Sequence, residues 1–455
     1  MDEAIYTNRI LARVTLEAVT PLHIGTGSKS VLTDRMVGRD VNGLPYIPGT
    51  SLAGVLRHVL TTEDAARYFG TQKKGKEHGS ELLFSDARMV GKDGQVMDGM
   101  SELDWNDEFY RHYRYLPIRQ HVGISHKGTA RPTAKFDEEV VMKGTRFVFD
   151  MEQLSATDHK DVMECLLEAL AARTFRLGGG TTKGFGHVRV VNVLLRCYDL
   201  TDAADLQAYQ DRSSSLTGSI PGGKPYVPDA AADDAAGVTS YELALHPMDF
   251  FLFGAGMGDD DADVTPVTES VVTWNKDGLP KVAEKQMLIP ATSVKGALLH
   301  RSIYWYNKKH AVYADDMDQQ ALSRTEGSRA MESLFGAIGD NGREQTRGRI
   351  RMDDIVESPV SFKNMNHVRI DRLTGGTVDG ALFTEKVADG KVREYGLHVD
   401  ILPGVDGEAL EAFERALTDV CRGMLPLGGS VNRGCGMFKG VLVRNGVQVY
   451  PQTNE

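Results

Sequence analysis

Two stretches of this chain combine glycine with a single cation in a pattern able to hold an anion. They are Leu177-Gly178-Gly179-Gly180-Thr181-Thr182-Lys183-Gly184-Phe185-Gly186 and Leu427-Gly428-Gly429-Ser430-Val431-Asn432-Arg433-Gly434-Cys435-Gly436. Glycines remove side-chain bulk and permit positive φ, so backbone N–H groups can converge on a phosphate. Lys183 and Arg433, at matching positions, would add a positive charge to each nest. The alternative is a tight helix-to-strand connection. A nucleotide-triphosphate loop is excluded, because neither stretch has the G-x-x-x-x-G-K-[ST] order and neither opens a helix.

Hydroxyls gather at two further points, Pro48-Gly49-Thr50-Ser51 and Pro290-Ala291-Thr292-Ser293, with Lys295 one turn into the second. Free N–H groups and hydroxyls at a helix start suit a phosphate, and they are also ordinary capping chemistry. Carboxylates lie in two loops, Thr33-Asp34-Arg35-Met36-Val37-Gly38-Arg39-Asp40 and the run Asp259, Asp260, Asp261, Asp263. Beside an RNA phosphate such groups can hold a divalent metal that activates a nucleophile or stabilises a leaving oxygen. Spacing alone does not separate that role from solvated loop acids. Between Arg111 and Arg146 eight bases face three acids, with Tyr113, Tyr115 and Phe136 interleaved, a composition suited to tracking a backbone and stacking on bases. A shorter basic run, with four arginines, spans Arg343 to Arg351.

The elements that must position these groups come from an internal repeat. Pro48-Gly49-Thr50-Ser51-Leu52 returns as Pro290-Ala291-Thr292-Ser293-Val294, and the glycine loops recur in the same order at nearly the same offset. Fainter echoes pair Leu22-His23-Ile24-Gly25-Thr26-Gly27 with Phe251-Leu252-Phe253-Gly254-Ala255-Gly256, and His121-Val122-Gly123-Ile124 with His367-Val368-Arg369-Ile370. Alternation over 10–19, 145–150, 186–195 and 241–246 predicts strands. Helices are predicted over 51–61, capped by Thr50 or Ser51, over 161–175 with Val162, Leu166, Ala169 and Leu170 as its stripe, and over 408–423. Strand, helix, strand, strand, helix, strand is the ferredoxin-like order, shared with the RNA recognition motif. The expected fold class is therefore α+β: two tandem ferredoxin-like domains, 1–199 and 240–455, each with a β-hairpin thumb, joined by a solvated acidic Ala/Gly/Ser/Pro-rich linker over 200–239.

Length and composition agree with this organisation. A chain of 455 residues, 41% hydrophobic and 25% charged, has room for two or three self-sufficient cores. The absence of a long apolar window and of a basic-then-apolar start predicts a cytoplasmic chain with no membrane partner. Cys165, Cys197, Cys421 and Cys435 form no C-x-x-C pair, so neither zinc nor a disulfide framework is expected, and the thiols are expected to be reduced and mostly buried. The net charge of −11 argues against indiscriminate nucleic-acid binding, but it sums unlike parts: acids gather in the 200–239 segment and the 259–263 loop.

Together, Pro45-Tyr46-Ile47-Pro48-Gly49-Thr50-Ser51-Leu52-Ala53-Gly54-Val55-Leu56-Arg57, the two glycine loops and the segment His367-Val368-Arg369-Ile370-Asp371-Arg372-Leu373-Thr374-Gly375-Gly376 resemble the RAMP superfamily. The likeness is to the backbone subunits of type III CRISPR effector complexes and, because two units are fused, to the type III-D group. The resemblance implies a palm that binds the guide crRNA backbone and thumbs, about 121–141 and 367–387, that wedge into the guide–target duplex. It implies RNA contacts through Thr50, Ser51, Arg57, Gly179, Gly180, Lys183, Arg131 and Lys135 in the first half, and through Ser293, Lys295, Gly429, Arg433, Arg369 and Arg372 in the second. Asp34 falls on the family's target-cleaving aspartate, ahead of Arg39-Asp40, and would also be the metal ligand, with Mg²⁺ as the cofactor. In the second half Asp263 is favoured, with Asp260 as the alternative. The implied reaction is metal-assisted transesterification of a complementary target RNA by its own 2′-hydroxyl, in antiviral defence, alongside other backbone, large and small subunits. A purely structural guide-binding scaffold and a repeat-RNA processing endonuclease remain as alternatives. The latter would use histidine acid–base chemistry, and His23 is read as solvated or capping.

Overall fold

The computed structural model describes residues 6–27, 30, 33–75, 77–125, 128–229, 237–313, 326–337, 345–358, 361–390 and 393–451. Lys127, Asp233, Asp234 and Arg343, counted above, lie outside them.

Each half is built on a central strand whose apolar side chains are sealed between sheet and helices. In the first, Asn8–Ala18 buries Ile10, Ala12, Val14 and Leu16 completely. It pairs antiparallel with Arg146–Ser155 on one side and Val188–Asp199 on the other, and the short strands Leu82–Phe84 and Arg88–Met89 add to the outer edge of Arg146–Ser155. The spatial order of the four is last, first, third, second, as in the ferredoxin-like fold. In the second half, Thr239–Pro247 takes the central place between Tyr395–Ile401 and Phe438–Arg444, with Ile350–Met352 on the outer edge, and the order is the same. The two halves therefore repeat in three dimensions as well as in sequence.

Helices Asp161–Ala171 and Gly407–Cys421 close the two cores with Met163, Leu166, Leu167 and Leu170 in one, where Met163 and Leu167 replace the expected Val162 and Ala169, and with Ala409, Phe413, Ala416, Leu417 and Val420 in the other. The first ends at Ala171, four residues before the sequence pattern suggested. The Pro-x-Thr-Ser helices depart further from expectation. They begin at Gly49 and Ala291 with no side-chain cap from Thr50, Ser51 or Ser293. Instead a carboxylate from the sheet occupies each N-terminus, Asp86 Oδ1 accepting from Gly49 N at 3.0 Å and Asp354 Oδ1 from Ala291 N at 2.7 Å. A negative charge satisfies both the free N–H and the helix dipole, so the hydroxyls are not needed as caps.

The join is more ordered than its composition suggests. Helix Ala203–Gln210 is capped by Asp202, Lys224–Pro225 pairs with the last strand of the first sheet, and Arg13 donates to Leu216 O at 3.1 Å. Cys421 and Cys435 are buried, whereas Cys165 is exposed. Among the described residues no helix is long and apolar enough to cross a membrane.

A charged seam locks the halves together. Arg119 donates to both oxygens of Glu269 (2.6 and 2.8 Å) and to Asp354 Oδ2 (3.0 Å), all three side chains being buried. Arg173 binds Asp400 bidentately, and Asp353 receives Arg176 and His187. Further along, Trp274 Nε1 donates to Gly144 O, Val272 N donates to Lys143 O, and Arg146 stacks over the Trp274 ring. Gly144 has φ +85°, and a Cβ there would sit 1.8 Å from Val272 O, so this contact requires glycine.

Candidate functional site

Two hairpins project from the sheets, Ile118–Ile124 with Ala130–Glu139 and Ser361–His367 with Phe383–Asp389. At the base of each, the same five side-chain positions meet. In the first, His121 stacks on its cross-strand partner Phe136 (centroids 4.8 Å, 20°). Its Nε2 lies 2.8 Å from Glu138 Oε1, a charge contact with poor hydrogen-bond direction. Lys183, from the glycine loop, lies 3.6 Å from the same oxygen and 4.4 Å from the Phe136 ring centroid. In the second, His367 stacks on Phe383 (4.9 Å, 26°) and lies 3.1 Å from Glu385 Oε2, while Arg433 pairs with Glu385 and covers Phe383.

The loop aspartates complete both constellations. Asp34 and Asp137 clasp each other: Asp34 N donates to Asp137 Oδ1 at 2.8 Å and Asp137 N to Asp34 Oδ2 at 3.2 Å. The next residues form a parallel bridge, Arg35 with Glu138. In the second half Thr384 N donates to Asp263 Oδ2 at 2.8 Å, Asp263 N donates back to Thr384 O, and Val264 bridges Glu385 in parallel. Asp263 is thus the geometric counterpart of Asp34, and Thr384 of Asp137. Asp259 pairs with Lys386, and Asp260 stands exposed in the turn away from this bridge.

Glu138 carries the electrostatics of the first cluster. Its side chain is fully buried, which alone would raise its pKa, but His121 and Lys183 more than offset this and hold it at about 2. Burial pushes the Lys183 ammonium down, with Glu138 opposing. Glu138 is therefore an ionised carboxylate facing a cation and an imidazole beneath the Asp34 loop. His23 proves to be buried rather than solvated, its Nδ1 2.8 Å from Glu139 O.

The glycine loops spend many of their N–H groups internally. Gly179 N donates to His23 O and Gly429 N to Leu252 O, while Gly186 N and Gly436 N donate to Pro21 O and Phe250 O. Gly178, at φ +77°, would bring a Cβ to 2.4 Å from His23 O. The loops are latches that bring Lys183 and Arg433 to the hairpin bases. Lys295, by contrast, donates to Thr182 O (2.9 Å) and Phe335 O (3.2 Å) inside the seam, where burial lowers its pKa to about 8. Of the arginines in the described part of the shorter basic run only Arg351 is buried, on the carbonyls of Gly348 and Ile350, while Arg347 and Arg349 stay exposed and donate to Thr181 Oγ1 and Pro403 O. Arg57 donates to Phe69 O and Gly70 O, away from the hairpins. Arg131, Lys135, Arg369 and Arg372 stand exposed on the hairpins and their loops.

Asp137, Glu138 and Glu385 were not singled out from sequence. Their signal was the Phe-x-Glu pair, Phe136-x-Glu138 and Phe383-x-Glu385, repeated at an offset close to that of the glycine loops.

Two antiparallel sheets in ferredoxin-like order, each with a hairpin and a glycine latch, define a duplicated RNA-recognition-type fold. The chain belongs to the RAMP superfamily, whose family model matches residues 15–189 and 274–439. It is also similar to the "CRISPR system Cms endoribonuclease Csm3" of Methanocaldococcus jannaschii, 24% identical over 224 residues. That match takes in 43% of this chain and 84% of the relative, as a single-unit protein would against one half of a duplicated one.

Proposed function

We propose that this chain is a fused double backbone subunit of a type III CRISPR effector complex that binds guide RNA and cleaves complementary target RNA. The observation that carries the reading is the duplicated hairpin cluster, in which a backbone N–H of the returning strand, Asp137 N or Thr384 N, holds Asp34 or Asp263 in the same way. The name of the similar protein supports RNA cleavage as the class of chemistry.

In this reading Asp34 and Asp263 act on the target phosphate. The peptide N–H of Asp137 or Thr384 fixes one carboxylate oxygen of each, which orients the other toward solvent and RNA. Attack by a 2′-hydroxyl requires in-line geometry, which an A-form duplex denies, so the nucleotide at the cut must leave the stack. The exposed hairpin is suited to force that departure.

The Asp34 and Asp137 pair suits Mg²⁺, which takes one or two carboxylates and fills its other positions with water and substrate phosphate. Among the described residues no three His, Cys, Asp or Glu side chains are grouped to hold a metal without RNA. When bound, the ion would supply charge stabilisation at the phosphate.

The test is cleavage of end-labelled RNA complementary to the guide, with Mg²⁺ or with a chelator. We expect Asp34→Ala to abolish one cut with target binding retained. Unchanged cutting by Asp34→Ala would refute the role given to this residue.

A further inference from the structure

A half-open cavity of about 310 Å³ lies in the seam beside the first hairpin base. One wall, from the first half, carries Tyr115, Ile118 and Met142; the other, from the second half, carries Thr268 and Ser270. Its lining includes the Arg119–Glu269 pair, whose charges already face each other within the seam. Tyr115 is 77% exposed and Ile118 50% exposed, although both edge a concave site. The space equals roughly ten waters' share of liquid, which suits a flat heterocycle better than a single ion.

The position relative to Asp34 gives the cavity meaning. Ile118 pairs with Glu139, and Gln120 with Asp137, the residue that clasps Asp34. Two strand spacings across and two residues along put Ile118 roughly 12 Å from Asp34. A base leaving the stack next to the cut therefore has the cavity's apolar wall at Ile118 roughly 12 Å away, with the exposed Tyr115 ring three residues beyond it and two hydroxyls on the facing wall. A displaced base needs a surface for its π-face and partners for its edge, and Arg114, lying over Tyr115 at 5.5 Å, adds a cation at the rim for the attached phosphate.

We propose that this seam cavity receives the target nucleobase displaced at the first cut, with the Tyr115 ring as its stacking platform and Thr268 and Ser270 reading its edge. The proposal rests on the target-RNA reading above. It makes the first site a joint product of both halves: the first supplies Asp34 and the ring, and the second supplies the polar wall.

The experiment uses the full chain loaded with guide RNA and complementary RNAs carrying the fluorescent base 2-aminopurine at each target position in turn. Stacking on Tyr115 quenches the probe. The expected result is one position, adjacent to the Asp34-dependent cut, whose fluorescence rises at least twofold in Tyr115→Ala and stays quenched in Tyr115→Phe. Loss of stacking should also slow that cut by roughly tenfold. If target is bound and cut in an Asp34-dependent way, yet no position responds to Tyr115→Ala, the cavity assignment falls while the functional reading stands. Failure to bind target at all overturns both. Protection of Tyr115 from hydroxyl radicals before any target is added would mean that a protein segment fills the cavity, and it would overturn the proposal.

Discussion

The two halves differ at one residue that bears directly on chemistry. Asp137 faces Asp34, whereas Thr384 faces Asp263, so the first site offers two carboxylates and the second one. Asp137→Asn keeps an oxygen for the Asp34 N–H but removes a charge. It should raise the Mg²⁺ concentration for half-maximal cutting at the first position about tenfold, with the second cut unaffected, as a magnesium titration of both products would register. Glu138 gives a pH prediction. Its carboxyl is held at about 2 against an ordinary 4.5, so in that interval the unfolded chain binds more protons than the folded one. The stabilisation is therefore full above pH 4.5 and lost as pH falls toward 2. Thermal melts of wild type and Glu138→Gln should stay apart above pH 4.5 and converge as pH falls from there toward 2. Asp34 was singled out through the RAMP resemblance, by its place ahead of Arg39-Asp40 and the Pro-Tyr-Ile-Pro-Gly segment. Asp137 and Glu138 were not, since their meaning comes from a loop about a hundred residues away.

At the level of elements, the hairpins came with the family resemblance, and the second starts earlier than expected, at Ser361. The central strands and the paired helices could be read from periodicity and repetition, because burial on one face leaves a local pattern. The role of the glycine loops could not. The composition of an anion nest and that of a latch are the same, and the difference lies in where the N–H groups point: Gly179 and Gly429 bond His23 O and Leu252 O, in the segments that follow the opening strands of their halves. Gly178→Ala forces a side chain into positive φ and against the His23 carbonyl. It should cost about 2 kcal/mol or more, visible as a lowered urea midpoint. Helix capping shows the same limit. Asp86 and Asp354, reaching across from the sheet, do what Thr50 and Ser51 were expected to do locally.

Across the whole molecule, acids of the seam are matched by arginines, while Arg131, Lys135, Arg369 and Arg372 stay exposed on the hairpins, a division that lets an acidic chain meet RNA as the proposed function requires. The seam itself was invisible in the sequence, since Arg119 meets partners 150 and 235 residues away. Arg119→Met leaves Glu269 and Asp354 buried without their cation and should destabilise the chain by about 3–5 kcal/mol in equilibrium unfolding.

In the proposed function one chain carries two cutting sites, one on each hairpin, at Asp34 and Asp263. The direct measurement is to map the cuts in one end-labelled target with wild type, Asp34→Ala, Asp263→Ala and the double variant, each bound to guide and target. Two cuts in wild type, a different one lost in each single variant and neither left in the double variant is the predicted result. Both cuts persisting in the double variant would contradict it.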